Sequence, residues 1–345
     1  MSQAQPYSVI AGTGHFAPER VVTNEELVAY VGGSASWVEE RTGIAARRWA
    51  SSEESTSTLG HEAARRALED ADCTASDLDA LIFATLSPDM MFPGSGVFLQ
   101  QKLGVPGIPA LDVRNQCSGY LYALQVADGW IRAGIYERVL VVGAENQSAG
   151  LDISEQGRSI AVLFGDGAGA VVLESSQLEG RRPIASLKSV SLGADGSGAP
   201  HLCLERPGTL GGAHLTVEHL RRGKHYPSMN GRQVFRHAIG TLTRELEALM
   251  ERHDLHEPER FARIVLVPHQ ANRRINEQLA RHFGLAEHQV VHTIDDYGNT
   301  TAASIPMAFD LARRQGKLSA GSLVIHAAFG SGYTWGTALV EFQGG

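Results

Sequence analysis

Cysteine is scarce in this chain of 345 residues: there are three, at 73, 117 and 203, and no two form a Cys-x-x-Cys pair. An odd set with such spacing argues against a disulfide framework and against a zinc site, and reads as reduced thiols of a cytoplasmic protein. Long apolar runs are missing as well. Nothing approaches the roughly 18 consecutive apolar residues of a membrane span, and the opening MSQAQPYSVIAGTG lacks the basic region and apolar stretch of a signal peptide. Positive charge is in deficit, with 30 Lys and Arg against 38 Asp and Glu for a formal charge of -8. That balance speaks against nucleic acid and against a membrane surface as partners, so any basic docking site must be local. What remains, 43% hydrophobic and 20% charged residues, is a soluble globular composition long enough for two core-sized units.

An internal repeat organises those units. LIFATLSPD from Leu81 stands opposite RIVLVPHQ from Arg263, Ile82 on Ile264, an offset of 182 (264 − 82). At the same offset the strand-to-helix junction at Cys117 falls on the one at Asn299, and VLVVGAE from Val139 then meets SLVIHAA from Ser322. Short β-branched runs alternate with helical patterns in each copy, which predicts an α/β protein with mainly parallel sheets covered by helices. The halves are placed at residues 1–175 and 176–345, the second with a loop-rich insert at about 192–230. Apolar residues surround the helix after Cys117 on nearly all sides, which suits a central layer shared by two sheets.

Two glycine-rich stretches are set aside. GTGHFA from Gly12 satisfies a loose dinucleotide fingerprint, but Pro18 follows and the next helix waits for the caps Thr23 and Asn24. FGDGAGAVVL from Phe164 lacks the Lys and Ser/Thr of a phosphate-binding loop and reads as a tight hairpin turn.

A free cysteine is most often a small buried hydrophobe, and Cys117 alone would be read that way. Its neighbours Ser118 and Gly119 are small, and the helix that follows presents unpaired N–H groups and its positive dipole end, which is expected to lower the thiol pKa. Such a thiolate is a nucleophile for an acyl donor. A pseudo-two-fold relation between the copies brings Asn299 toward Cys117, and His269, one residue beyond the strand IVLVP, ends at the same rim. Imidazole and carboxamide can both donate hydrogen bonds to an enolate oxygen, and backbone N–H groups around Gly330, Ser331 and Gly332 offer an oxyanion site.

With WVEERTGIAARR from Trp37, HQAN at 269–272, GNTTAASIP at 298–306 and FGSGYTWGTALV from Phe329, the chain resembles the β-ketoacyl-acyl-carrier-protein synthase III family of the thiolase superfamily over nearly its whole length. The resemblance implies a thiolase-like five-layer αβαβα fold, a homodimer, and decarboxylative Claisen condensation of an acyl primer with a malonyl-carrier thioester. Cys117 would take the primer, His269 and Asn299 would stabilise the enolate, and the backbone N–H groups of Cys117 and Ser331 would form the oxyanion hole. No cofactor or metal is implied, since coenzyme A or carrier phosphopantetheine serves as the substrate's handle. Trp37 and Arg158 match positions that bracket the adenine of coenzyme A, and Arg41 matches a contact to its nucleotide portion. Arg274 and Arg281, seven apart on the predicted helix NRRINEQLARHF, offer a stripe for an acidic acyl carrier protein, with Ile275, Leu279 and Phe283 on the apolar face.

Three departures from the family pattern point to a primer longer or less usual than acetyl, in fatty-acid or specialised metabolism. Asn115 and Gln116 stand where small residues are common, the last loop reads Gly-Ser-Gly, and the insert is long. Two other chemistries stay open. Joining two acyl chains without decarboxylation needs a carboxylate base, and the stretch MMFPGSG supplies none; acyl transfer to oxygen or nitrogen would use His269 as general base but leaves Asn299 without a task.

Overall fold

In the computed structural model, which describes residues 5–180 and 183–344, the run ALIFA forms a strand whose alternate residues serve two different cores. Ala80, Ile82 and Ala84 face one cluster, while Leu81 and Phe83 face another. The same period of two recurs along the large sheet, whose strands are β1 Ser8–Phe16, β2 Ala80–Ala84, β3 Ala110–Val113, β4 Arg138–Glu145, β5 Gly167–Ser175, β6 Ala185–Ala194, β7 Ile264–Pro268, β8 Leu323–Gly330 and β9 Thr334–Phe342. Their spatial order is β7-β8-β9-β6-β1-β5-β4-β2-β3. The first half contributes the run from β3 to β1 and the second the run from β7 to β6; the two meet where Val9 and Ile10 pair with Ser186 and Ala185.

Helices α1 Asn24–Val31, α2 Ala35–Thr42, α3 Thr56–Asp70, α4 Ser95–Leu103, α5 Gly119–Arg132, α6 Gly231–Arg252, α7 Arg273–Phe283 and α8 Ser304–Arg314 complete the layers. Tyr120, Leu124 and Ala127 of α5 and Ile305 and Phe309 of α8 share one core with the inner faces of both half-sheets, including Val141, Val267 and Val324. Outside, Leu59 and Ala63 of α3 and Leu99 of α4 cover the first half-sheet, and Leu242 of α6 and Leu279 of α7 cover the second. Helix, sheet, helix pair, sheet, helix is the expected five-layer αβαβα fold.

Several expectations need correction. Only β2/β3, β2/β4 and β7/β8 run parallel, and the other five neighbouring pairs are antiparallel. A link as short as 331–333 between β8 and β9 can join only antiparallel neighbours. The helix after Cys117, α5, keeps Gln125, Gly129 and Arg132 exposed instead of being buried on nearly all sides, and it is α8 that is enclosed, over residues 304–310 and at Ala312. GTGHF belongs to strand β1, whose register with β5 shifts between Ile10 and Gly12; Gly12 and Gly14 are glycines because α3 lies against them, so that a Cβ would meet the Ala67 and Ala63 carbonyl oxygens at 2.4 Å. FGDG is no hairpin either. A helical turn, Arg158–Ala161, precedes it, and a Cβ at Gly165 would strike the Tyr297 carbonyl oxygen at 2.1 Å.

The repeat itself is real but its offset is 185. Val267 faces the shared core as Ile82 does, Val324 as Val139 does, and α8 starts 185 residues after α5 (304 − 119). Gln116 and Thr301, also 185 apart (301 − 116), both have positive φ, 45° and 43°. The counterpart of Cys117 is therefore Ala302. Asn299 reaches the site from the loop ahead of that junction.

Within the second half, β6 runs on to Ala194 before the chain leaves the sheet. Leu202–Cys203 and Ser228–Met229 then pair antiparallel, and the residues between them form an arm beside the site.

Candidate active site

Cys117 sits in a 3-10 turn, Gln116–Ser118, that feeds directly into α5. Gln116 holds the left-handed conformation that a non-glycine residue adopts at a cost of about 1–3 kcal/mol. Ser118 Oγ pins the turn, lying 2.9 Å from the Asn115 carbonyl oxygen and 2.8 Å from Thr334 Oγ1. The end of β8 lies directly on the cysteine, where a Cβ at Gly330 would stand 2.9 Å from Cys117 Cβ.

The thiol does not behave as the helix end suggested. Burial pushes Cys117 up to about 12, with the charge of buried Glu145 adding to the rise, and hydrogen bonding to the backbone of Cys117 and Ser331 only partly opposes it. Desolvation outweighs the dipole, so the resting group is a neutral thiol. The backbone of Ser331 thus comes to the sulfur, while its hydroxyl is engaged by the Leu202 carbonyl.

His269 follows the last residue of β7, its backbone N–H fixed on the Ala327 carbonyl at 2.7 Å. Its Nδ1 lies 2.7 Å from Ser304 Oγ, and its Nε2 is buried without a hydrogen-bond partner among the described residues. Burial lowers its pKa to about 3, which makes it a neutral imidazole with one nitrogen uncommitted. Asn299 is tied through its backbone to Leu163 and Gly165 at 2.8 and 3.1 Å. Its Oδ1 accepts the Thr301 N–H at 2.9 Å, which turns Nδ2 to other use.

Cys117, His269 and Asn299 line one cavity of about 580 Å³. Val162, Phe164, Leu202, Met229 and Phe235 make much of its wall apolar, Trp37, Arg41, Arg232 and Arg274 also line it, and no Asp or Glu does. The arrangement suits an extended apolar chain with an anionic group, ending at a thiol. Arg41 stacks on Trp37, its Cζ 5.8 Å from the ring centroid. Arg158 does not line the cavity: its Nε donates to the Val31 carbonyl at 2.6 Å, although it and Trp37 both flank Gly33. Arg274 lies 5.8 Å over Phe235, and Arg281 is exposed two turns further along α7, away from the cavity.

Some supporting groups went unread in the sequence. Asn272 caps α7 by accepting the Arg274 N–H at 3.0 Å and donates to the Arg41 carbonyl at 3.1 Å, a role its place before the helix could have signalled. Ser304 and Glu145 carried no local signal. Glu145 is fully buried and accepts from Thr85, Leu86, Ser87, Gln147 and Ala302, so it ties the first half to the turn ahead of α8. Among the described residues no group of three His, Cys, Asp or Glu could hold a metal ion, and no helix is long and apolar enough to cross a membrane.

Layering and cavity together place the chain among enzymes of the thiolase fold. A family model described as 3-oxoacyl-[acyl-carrier-protein] synthase III matches residues 111–196, and one described as the C-terminal part of the same synthase matches residues 264–342. The chain belongs to the β-ketoacyl-[acyl-carrier-protein] synthase III family. It is 42% identical over 336 residues to the synthase III of Thioalkalivibrio sulfidiphilus, covering 97% of this chain and 99% of the relative. The synthase III structure from Thermus thermophilus superposes with a TM-score of 0.85 at 36% identity, over 98% of this chain and all of that one. A priming β-ketosynthase from the R1128 polyketide biosynthetic pathway gives 0.84 at 29% identity, over all of this chain and 99% of that one.

Proposed function

We propose that this enzyme condenses an acyl primer with a malonyl-carrier thioester, with loss of carbon dioxide, to give a β-ketoacyl product. The observation that carries the reading is the single cavity that joins a thiol, an uncommitted neutral imidazole and a carboxamide to an arginine-bearing wall without a carboxylate. In the first step the Cys117 sulfur attacks the primer thioester. Its proton passes to His269 Nε2 and on to the departing thiol, and acyl-Cys117 forms. Ser304 Oγ, which can donate or accept, fits either tautomer of the ring. In the second step the bond to the malonyl carboxylate breaks, its electron pair enters the enolate, and hydrogen bonds from His269 and Asn299 hold the enolate oxygen. The carbanion attacks acyl-Cys117, the backbone N–H groups of Cys117 and Ser331 take the oxyanion, and collapse releases the Cys117 thiolate, which takes up one proton from solvent to replace the one that left with the first thiol.

The anionic handle of the substrate, the phosphate of phosphopantetheine or the nucleotide of coenzyme A, would meet Arg41, Arg232 and Arg274 beside Trp37. Arg158 would act through Gly33 and the Val31 carbonyl rather than by touching the handle as the resemblance implied. Carrier docking would centre on Arg274, with Arg281 at its margin. Without a carboxylate at the wall or in MMFPGSG, a non-decarboxylating reaction would lack the carboxylate base it needs.

We infer a primer other than acetyl, on the grounds of Gln116 and its strained backbone, and of Leu202 and Met229, through which both ends of the arm enter the cavity wall. Likeness to a priming ketosynthase of polyketide synthesis is consistent with specialised metabolism. A panel of acyl thioesters read by intact mass tests both points: an acyl adduct on the native chain that is absent from Cys117→Ala supports the nucleophile, and equal adducts on both would overturn it. Following carbon dioxide and β-ketoacyl product with malonyl-carrier tests the condensation, since product without malonyl consumption would refute decarboxylation.

A second copy is expected at the free edge of the sheet. There β3 ends the strand order, and Met90, Met91, Phe92, Val97 and Leu111 stand exposed around it, Phe92 at 85%. An unpaired edge with an apolar rim is what two-fold pairing would cover.

A further inference from the structure

Resting on the reading above, we propose that the arm between Cys203 and Ser228 is a second docking surface for the acyl carrier protein, which it presents to the mouth of the cavity. The arm is ordered by its own hydrogen bonds. The Arg206 side chain is buried and binds the carbonyl oxygens of Glu205, Gly208 and Leu210 at 3.2, 3.1 and 2.7 Å, and its backbone N–H binds the Lys224 carbonyl at 3.0 Å. Lys224 Nζ closes the base on Glu205 at 2.6 Å.

A loop braced in this way could bury its apolar side chains, yet Leu210 is 90% and Val217 63% exposed, with Leu204, Leu215 and Leu220 exposed beside them. Five of the large exposed hydrophobics of the described residues thus fall within this one segment. Exposed apolar groups concentrated in this way mark an interaction site.

Charge selects the occupant. Between 204 and 227 there are four Lys and Arg against two Asp and Glu, in a chain with a formal charge of -8. Arg206, Lys224 and Glu205 are spent within the arm, which leaves Arg221 and Arg222 exposed against Glu218 alone. Both ends of the arm are in the cavity wall, since Leu202 and Met229 line it and pair with each other. Arg232 and Arg274 at the same cavity continue the positive field. A partner that fits is small and acidic, has an apolar face, and threads a thioester arm into the cavity as it docks. An acyl carrier protein has that chemistry, and its contact with the arm would add to the one at Arg274.

The test uses the full-length chain and two double variants, Arg221→Glu with Arg222→Glu, and Leu210→Ser with Val217→Ser. Binding of fluorescently labelled holo-acyl carrier protein is read by anisotropy, and Cys117 acylation by acyl-coenzyme A is read in parallel. Carrier binding should weaken about tenfold or more in both variants, and the salt dependence should be shallower in the charge variant. Acylation by acyl-coenzyme A should stay within about twofold of the native rate, as it needs no carrier. Unchanged carrier affinity in both variants would overturn the proposal. So would acylation that falls in step with binding, which would make the arm a wall of the pocket, or loss of self-association, which would make it a contact between copies. Failure of the condensing-enzyme reading shows separately, as a native chain that binds the carrier but forms no acyl-Cys117.

Discussion

A thiol held up to about 12 and an imidazole held down to about 3 are both neutral at physiological pH, and burial is the main cause of each. The site therefore stores no thiolate–imidazolium pair, and the proton has to move when a thioester arrives. The raised thiol gives a sign that can be checked. Alkylation of Cys117 by iodoacetamide should be slow at pH 7 and still climbing at pH 10, whereas an activated thiolate would plateau near neutrality. A plateau below pH 8 would contradict the burial argument. Asn299 enters at a later step than the sulfur. Asn299→Ala is expected to lower condensation by on the order of a hundredfold while acylation by acyl-coenzyme A changes by less than about tenfold. Equal losses in rapid-quench measurements of both steps would remove it from the enolate.

Glu145 shows what the ends of β4 and α8 owe to a single buried carboxylate. Burial raises its pKa, and hydrogen bonds from Ser87 and the Leu86 and Ser87 amides only partly oppose that rise. Glu145→Gln would place an amide NH2 among donors, so a loss of at least about 1.5–3 kcal/mol is expected in urea unfolding, the worth of one hydrogen bond to a charged group. The same substitution removes a negative charge that raises the Cys117 pKa, so the alkylation profile should move to lower pH. Destabilisation with an unmoved profile would confine Glu145 to a structural role. Neither consequence was legible in the sequence, because the carboxylate's partners lie on three separate segments, at 85–87, 147 and 302. What was legible were patterns local to one element: Thr23 as the cap of α1, the apolar stripe of α7 through Ile275 and Leu279, and the strand runs themselves. The repeat was visible but slipped by three residues. Its strands are apolar on both faces, so the alternation that would fix the phase between Ile82 and its true counterpart Val267 is hidden in composition. Cys117, His269 and Asn299 nonetheless line one cavity, although the equivalence by which the offset set Asn299 opposite Cys117 does not hold.

Over the whole molecule the two halves are held by more than the shared core. Thr13 and His15 of β1, in the first half, bond to Asp310 of α8, in the second, with His15 Nδ1 at 2.5 Å, and Arg314 Nε completes the group at 2.9 Å. Arg313 reaches back from α8 to Asp70 of α3 at 2.5 Å. Burial alone would raise the Asp310 pKa, but hydrogen bonds from His15, Thr13 and Arg314 outweigh it and bring the carboxyl down to about 2, from 3.8. A carboxyl depressed on folding stabilises the fold above its unfolded pKa and ceases to do so as pH falls through the folded value. Asp310 should therefore contribute its full share at pH 6 and lose it between about pH 4 and pH 2, on the order of 2 kcal/mol. Asp310→Asn should remove that pH dependence, so that native and variant chains, compared by urea unfolding at pH 6 and pH 3, differ more at the higher pH. A variant with the same acid sensitivity as the native chain would show that other carboxylates govern the loss. Because Asp310 sits in the central layer rather than at the free edge beside β3, its effect should also leave the oligomeric state untouched. By contrast, Phe92→Asp at that edge should turn the proposed dimer into a monomer in light scattering, without moving the acid limb of the stability curve.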